Sequence, residues 1–223
     1  MMTKRELARM MDVTLVRNNH TFHEVDQLIE AAREHHFACV FIMQCYAEYV
    51  RDRLKDVPDV HVGGVMGFPS GAEYTAIKLA ETEKNMELGL HEMDMVINIS
   101  MLLSDKFDYV RDEVRQIKEK MGADIPLKCI LEMSVLDEYH AKKACELCME
   151  AGADYVKTGT GWFGPATHEQ VRLMRSVVGD HMYIKAAGGI RTLAEVERFR
   201  AEGVHRVGVG LPSALSILEE AEE

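Results

Sequence analysis

The 223-residue chain is 47% hydrophobic, 28% charged and 7% aromatic, enough for one large core and at most two domains. Its 26 Lys and Arg face 37 Asp and Glu, a formal charge of −11, which argues against nucleic-acid backbones as partners but lets local dipoles hold a single phosphate. No apolar run approaches the roughly 20 residues of a membrane span, and Met1–Arg5 lead into charged, helix-like sequence without the apolar centre of a signal peptide.

Short apolar runs alternate with longer amphipathic stretches along the chain. A strand is expected over Met11–Val16 and a helix over Phe22–His35, then a strand over Phe37–Met43 and a helix over Ala47–Leu54. His61–Met66 leads to a helix over Tyr74–Leu88, and Glu92–Ile97 to one over Phe107–Lys120. Leu127–Leu131 precedes a helix over Asp137–Glu150, and Tyr155–Thr158 one over His168–Val178. Met182–Ala186 with Leu193–Glu202, and Arg206–Val209 with Ser213–Glu220, complete eight units. This alternation implies βαβ units and a parallel sheet. Units of about 28 residues lie near the lower limit for a closed barrel of roughly 250 residues. All five prolines fall in connections, and Gly152, Gly179 and Gly203 stand just after helices, where a left-handed cap residue is wanted. No linker, low-complexity segment or composition shift interrupts the series. The expected fold is α/β, a single-domain TIM (β/α)8 barrel over residues 1–223, with an open doubly wound sheet as the alternative.

In such a barrel the chemistry sits at the C-terminal ends of the strands. Asp94 interrupts the apolar run H-E-M-D-M-V-I-N, Glu132 follows Lys128, Lys157 ends V-K-T-G-T-G, and Lys185 stands in Y-I-K-A-A-G-G-I-R. A buried ammonium loses most of its hydration, so a strand lysine either snorkels to the rim or has a task. Lys157 and Lys185 fall on consecutive strands, about 4.8 Å apart. A neighbouring cation and desolvation both lower a lysine pKa, and a neutral amine attacks carbonyls. The pattern suggests imine chemistry, with one lysine as nucleophile, one as electrostatic partner and Asp94 moving protons. Gly188 and Gly189 after the seventh strand, and Gly208 and Gly210 at the end of the eighth, suit either a phosphate site or ordinary tight turns. Arg191 is a possible anion contact or a solvent-facing charge.

Other features have plainer readings. Cysteines 39, 45, 129, 145 and 148 are odd in number and read as reduced thiols, so a cytoplasmic location is expected. Cys145 and Cys148 form a lone C-x-x-C within a helix, too few ligands for zinc, so no metal site is expected. His20 with His23, and His35 with His36, lack a third ligand and read as surface or packing residues. The 15 methionines read as core filling, and the terminal Glu219, Glu220, Glu222 and Glu223 as a frayed tail.

Taken together, these motifs resemble the 2-deoxyribose-5-phosphate aldolase family, class I aldolases built on a TIM barrel. The likeness runs from D-V-T-L at Asp12 to the chain end, through G-F-P-S-G-A at Gly67, H-E-M-D-M-V-I-N-I at His91, A-G-A-D-Y-V-K-T at Ala151 and the stretch from Lys185 to Thr192. The resemblance makes Lys157 the Schiff-base lysine, Lys185 the lysine that lowers its pKa, and Asp94 the proton-relay aspartate supported by Asp12 and Lys128. It implies reversible cleavage of 2-deoxyribose 5-phosphate to acetaldehyde and glyceraldehyde 3-phosphate, with no cofactor beyond the imine. It places Thr158, Thr160, Gly188, Gly189, Gly210 and Ser213 in the substrate- and phosphate-binding set, and it suggests a homodimer.

Three departures fall on specificity. The expected serine pair after the eighth strand reads Gly210-Leu211, the usual K-T-S-T-G reads K-T-G-T-G with Gly159, and a cysteine followed by Asn-Pro is replaced by Phe41, Met43 and Gln44. Two alternatives follow, a related lysine aldolase for another, even unphosphorylated, substrate, and a catalytically idle barrel that binds sugar phosphates. A metal-dependent aldolase is disfavoured, because the chain offers no histidine cluster.

Overall fold

The computed structural model describes residues 2–221. Eight parallel strands follow chain order and close on themselves: β1 (Met11–Leu15), β2 (Cys39–Ile42), β3 (His61–Met66), β4 (Glu92–Val96), β5 (Leu127–Ile130), β6 (Tyr155–Lys157), β7 (Tyr183–Ala187) and β8 (Arg206–Gly210). The expected single-domain (β/α)8 barrel is the observed fold.

Outside the barrel lie α1 (Lys4–Ala8), α2 (Phe22–His35), α3 (Ala47–Leu54), α4 (Thr75–Glu87), α5 (Ile99–Leu102), α6 (Phe107–Met121), α7 (Glu138–Glu150), α8 (His168–Val178), α9 (Leu193–Ala201) and α10 (Leu211–Glu220). Amphipathic spacing sets which face turns inward. In α6, Val110, Val114, Ile117 and Met121 repeat at helical intervals and are buried, each contributing roughly 1.5–3 kcal/mol by leaving water. Capping boxes pair Thr21 with Glu24, Thr167 with Gln170 and Thr192 with Glu195. They fix where α2, α8 and α9 begin, and so how much chain is left for the loops above β1, β6 and β7.

The main differences from expectation are local. Helix α10 starts at Leu211 rather than Ser213, because Pro212 fits the first turn, where no N–H is required. Glu219 and Glu220 belong to that helix rather than to a frayed tail, and the Glu220 carboxylate accepts from Leu193 N at 2.9 Å. Glu222 and Glu223 lie outside the described residues. Gly152, Gly179 and Gly203 all have positive φ, as their places after helices require. Cys145 and Cys148 are buried in α7, as helix packing predicts.

The apolar core lies mainly between strands and helices. Inside the barrel the packing is unusual, because a small cluster of Cys39, Phe41 and Val65 on β2 and β3 faces a set of buried charges on β1 and β4–β7. Most barrels of this kind fill that space with branched aliphatic side chains.

Candidate active site

Strand pairing brings the charges together. Lys157 pairs with Lys185 across β6 and β7, and Asp94 with Lys128 across β4 and β5. Lys157 Nζ donates to Asp94 Oδ2 at 2.6 Å, and Lys185 Nζ donates to the same oxygen at 2.8 Å. Lys185 Nζ also stands 2.6 Å from Asp12 Oδ2. Lys128 reaches the Glu92 carboxylate and lies 3.4 Å from Asp12 Oδ2 and 3.6 Å from Asp94 Oδ1. Arg206 closes the set, donating to Asp12 Oδ1 at 3.0 Å and to Glu92 Oε1 at 2.8 Å. The Phe41 ring faces Lys185 Nζ at 4.1 Å and Lys128 Nζ at 4.6 Å. Its aromatic face adds partial negative charge beside both amines. Gly63 makes room for it, since a Cβ there would lie 2.3 Å from the ring.

Counting charges singles out one amine. Asp12, Glu92 and Asp94 face Lys128, Lys157, Lys185 and Arg206, so the network holds one cation too many when every group is ionised. Lys157 borders the cavity and has Asp94 as its one carboxylate partner among the described residues, which makes it the cheapest amine to neutralise. Burial, opposed by Asp94 and reinforced by Lys185, draws its pKa down to about 8. At pH 7.5 roughly a quarter of such amines are neutral, against about one in a thousand at the ordinary lysine value.

Asp94, Lys128 and Arg206 are held in their charged forms. Burial alone would raise the Asp94 carboxyl, but Lys157, Lys185 and Lys128 hold it well below the usual carboxylate range. Burial would likewise lower Lys128 and Arg206, yet Asp12, Asp94 and Glu92 push Lys128 up, and Asp12 and Glu92 push Arg206 up.

Above this network a cavity of about 270 Å³ opens at the C-terminal ends of the strands. Lys157 and Asp94 line it, while Asp12, Lys128 and Lys185 lie fully buried below. Asp94 Oδ1 accepts no hydrogen bond from the described residues and is the carboxylate's free acceptor. Gly188, Gly189, Gly210 and Ser213 also line the cavity, as the sequence suggests. Gly188 has φ 111°, and a Cβ there would meet Gly164 O at 2.8 Å, so the β7 turn requires glycine.

Thr158 and Thr160 are placed differently. Thr158 does not line the cavity, because its hydroxyl bridges β6 to β7, donating to Ala187 O at 3.1 Å and accepting from Ala187 N at 2.9 Å. Thr160 does line it, with its hydroxyl donating to Glu132 Oε2 at 2.5 Å. Glu132 occupies the space that Gly159 leaves, since a Cβ at Gly159 would lie 2.6 Å from Oε1.

Sequence reading missed Glu92, Arg206 and His20. Glu92 and Asp94 are two apart on one strand and so face the same way, which was the available signal. His20 was read as a surface or packing residue, but it lines the cavity together with Arg17 and Arg191.

Asp12, Cys39 and Glu92 could each offer a ligand atom to a metal, within 4.8 Å of one another. Both carboxylates are already paired with Lys or Arg, and burial pushes the Cys39 thiol up, so the trio lacks the free negative charge a cation needs.

The DeoC/LacD family aldolase model matches residues 6–212. The deoxyribose-phosphate aldolase of Caldanaerobacter subterraneus subsp. tengcongensis is 43% identical over 218 residues, covering 96% of this chain and 93% of that protein. The deoxyribose-phosphate aldolase of Thermococcus kodakarensis is 41% identical, covering 99% of both chains. Among solved structures, the aldolase QR15 superposes with a TM-score of 0.89 at 31% identity, covering 96% of this chain and 95% of its own. The tetrameric deoxyribose phosphate aldolase from Aeropyrum pernix gives a TM-score of 0.87 at 27% identity, covering 97% and 91%.

Proposed function

This chain belongs to the DeoC/LacD family of aldolases, and on that premise we propose that it reversibly cleaves 2-deoxy-D-ribose 5-phosphate to acetaldehyde and D-glyceraldehyde 3-phosphate through a Schiff base on Lys157. The observation that carries this reading is a cavity-facing amine with a pKa near 8, held 2.6 Å from a carboxylate that stays ionised.

The Lys157 amine adds to C1 of the open-chain sugar, and loss of water gives an iminium. Asp94 takes the proton of the C3 hydroxyl, with Lys185 steadying its other oxygen. The C2–C3 bond breaks, its electron pair enters the iminium to give an enamine, and glyceraldehyde 3-phosphate leaves. Protonation at C2 and hydrolysis then release acetaldehyde and free Lys157. The iminium is the electron sink, so the chemistry calls for no metal or organic cofactor. Asp12 and Lys128 act through their neighbours, holding Lys185 and Asp94 in register. Gly188, Gly189 and Gly210 amides, with Ser213, receive the phosphate.

Borohydride trapping with acetaldehyde, followed by peptide mass spectrometry, tests the reading. A reduced two-carbon adduct on Lys157, absent from Lys157→Ala, is the expected result. No adduct with any small carbonyl would overturn the reading and favour a binding-only barrel.

A cytoplasmic location is supported by the five cysteines all being free thiols, and no helix among the described residues is long and apolar enough to cross a membrane. A homodimer is inferred from the family resemblance alone, and light scattering should give twice the chain mass.

A further inference from the structure

We propose, on the retro-aldol reading above, that Arg17 and His20 in the loop after β1 are specificity-determining residues that hold the anionic end of the substrate. A phosphate dianion leaving water needs opposite charge and well-placed donors. Where the resemblance expects two serines, Gly210 and Leu211 supply no side-chain donor, and Pro212 removes one amide from the first turn of α10. The rim is cationic instead. Arg17, His20 and Arg191 line the cavity, and Asp94 is the one carboxylate among its described lining residues. In a chain of net charge −11 this is a local inversion, and it draws anions to the mouth.

Both side chains are fixed. Strand β1 pairs with β8, so the loop above β1 stands beside the start of α10. Arg17 Nη2 donates to Gly161 O at 2.8 Å, and the guanidinium lies over the Trp162 ring at 4.9 Å. The Trp162 indole N–H in turn donates to Val16 O at 3.1 Å, tying the two loops together. A guanidinium carries five N–H donors, so this anchorage leaves others for a phosphate. His20 Nδ1 lies 3.0 Å from Glu24 Oε1, and the Tyr46 hydroxyl donates to its carbonyl at 2.7 Å. Glu24 is itself immobilised, because Oε2 accepts from Thr21 N at 2.7 Å. With Nδ1 engaged, Nε2 is the ring nitrogen left for a ligand. Gly161 is four residues beyond Lys157, so the Arg17 anchor sits in the loop that leaves the strand of the imine lysine, and the two can grip the ends of one small molecule.

The test compares 2-deoxyribose 5-phosphate with unphosphorylated 2-deoxyribose as substrates of the wild type, Arg17→Gln and His20→Gln. Arg17→Gln should lower the ratio of the two kcat/KM values at least about tenfold, chiefly through KM, and His20→Gln by about threefold. Equal losses on both sugars would assign a merely structural role and overturn the proposal. A binding measurement stands independently of turnover, because Trp162 is the one tryptophan in the chain. Inorganic phosphate and glycerol 3-phosphate should alter its emission, with midpoints about tenfold weaker in Arg17→Gln. Wild-type emission that ignores both anions, or midpoints that Arg17→Gln leaves in place, would also overturn it. Arg17-dependent anion binding in an enzyme that never cleaves the phosphosugar would retain the anion site and reject the reaction.

Discussion

The interior of the barrel and the rim above it solve opposite electrostatic problems. Inside, seven ionisable side chains on strands, six of them buried, must neutralise one another, down to the one cation that Lys157 can shed. At the rim, Arg17 and Arg191 are exposed, glycine turns leave backbone amides open, and positive charge gathers where Asp94 is the one carboxylate among the described lining residues. Strand register places the interior groups, so changing one disturbs all its partners. The rim is set by loops, where a substitution alters affinity and leaves the reacting atoms in place. The departures at Gly210 and Leu211 fall in this second region, and the lysines and Asp94 in the first. Changes in the interior should therefore cost the most.

The largest effect is expected for Lys157→Met, which should remove turnover by a factor of about 10⁴ or more and abolish borohydride-trapped adduct. It also tests the charge count. The folded-state pKa near 8 lies below the ordinary lysine value of 10.5, so folding penalises the protonated amine. That penalty is full below pH 8 and fades as pH rises toward 10.5, because over this interval the unfolded chain holds the proton and the folded one does not. Relative to Lys157→Met, the wild type should gain up to about 3 kcal/mol of stability across that interval, measured by urea unfolding at each pH. A constant difference would mean that Lys157 is not the strained cation.

Asp94→Asn comes next, with kcat/KM falling by about 10²–10⁴. The change leaves Lys157, Lys185 and Lys128 without their shared carboxylate, and breaking a buried ion pair in this way costs about 3–5 kcal/mol. A variant that keeps its activity would remove Asp94 from the proton path. For Lys185→Met the direction comes from its effect on its neighbour. Lys185 lowers the Lys157 pKa, so its loss should move the acid limb of the kcat/KM profile upward from about 8, with rate at pH 7 dropping about tenfold per unit. An unmoved limb with a lower plateau would make Lys185 a proton carrier only.

The sequence exposed the interior well because polar residues stand out in short apolar strands. Asp94, Lys128, Lys157 and Lys185 each interrupt such a run, and closure of eight parallel strands then forces them to meet. Glu92 and Arg206 escaped notice because each is the first residue of its strand, where a charge is normally solvated. The rim was harder to read. Its contacts depend on how loops from distant parts of the chain lean together, as when Trp162 meets Arg17 across 145 positions. Thr158 was misjudged for a related reason. It is the first residue beyond β6, so its hydroxyl turns to the neighbouring strand rather than to the mouth.

A substitution of small effect, Gly210→Ser, asks whether the rim alone carries specificity. Gly210 has φ −72°, and a Cβ built there meets nothing within 4 Å, so Gly210→Ser needs no rearrangement. As the N-cap of α10, serine would also satisfy a free amide when no ligand is bound, a change of only a few tenths of a kcal/mol relative to glycine. With phosphate present the hydroxyl can donate instead, a hydrogen bond contributing about 0.5–1.5 kcal/mol, or roughly a two- to twelvefold fall in KM for the phosphosugar. Because Asp94 and Lys157 lie on other strands, kcat and the acid limb near pH 8 should stay where they are. A shift in that limb would show that rim and interior are electrostatically coupled after all. A higher KM would mean that this rim has been reshaped around a substrate whose charged end does not sit at α10.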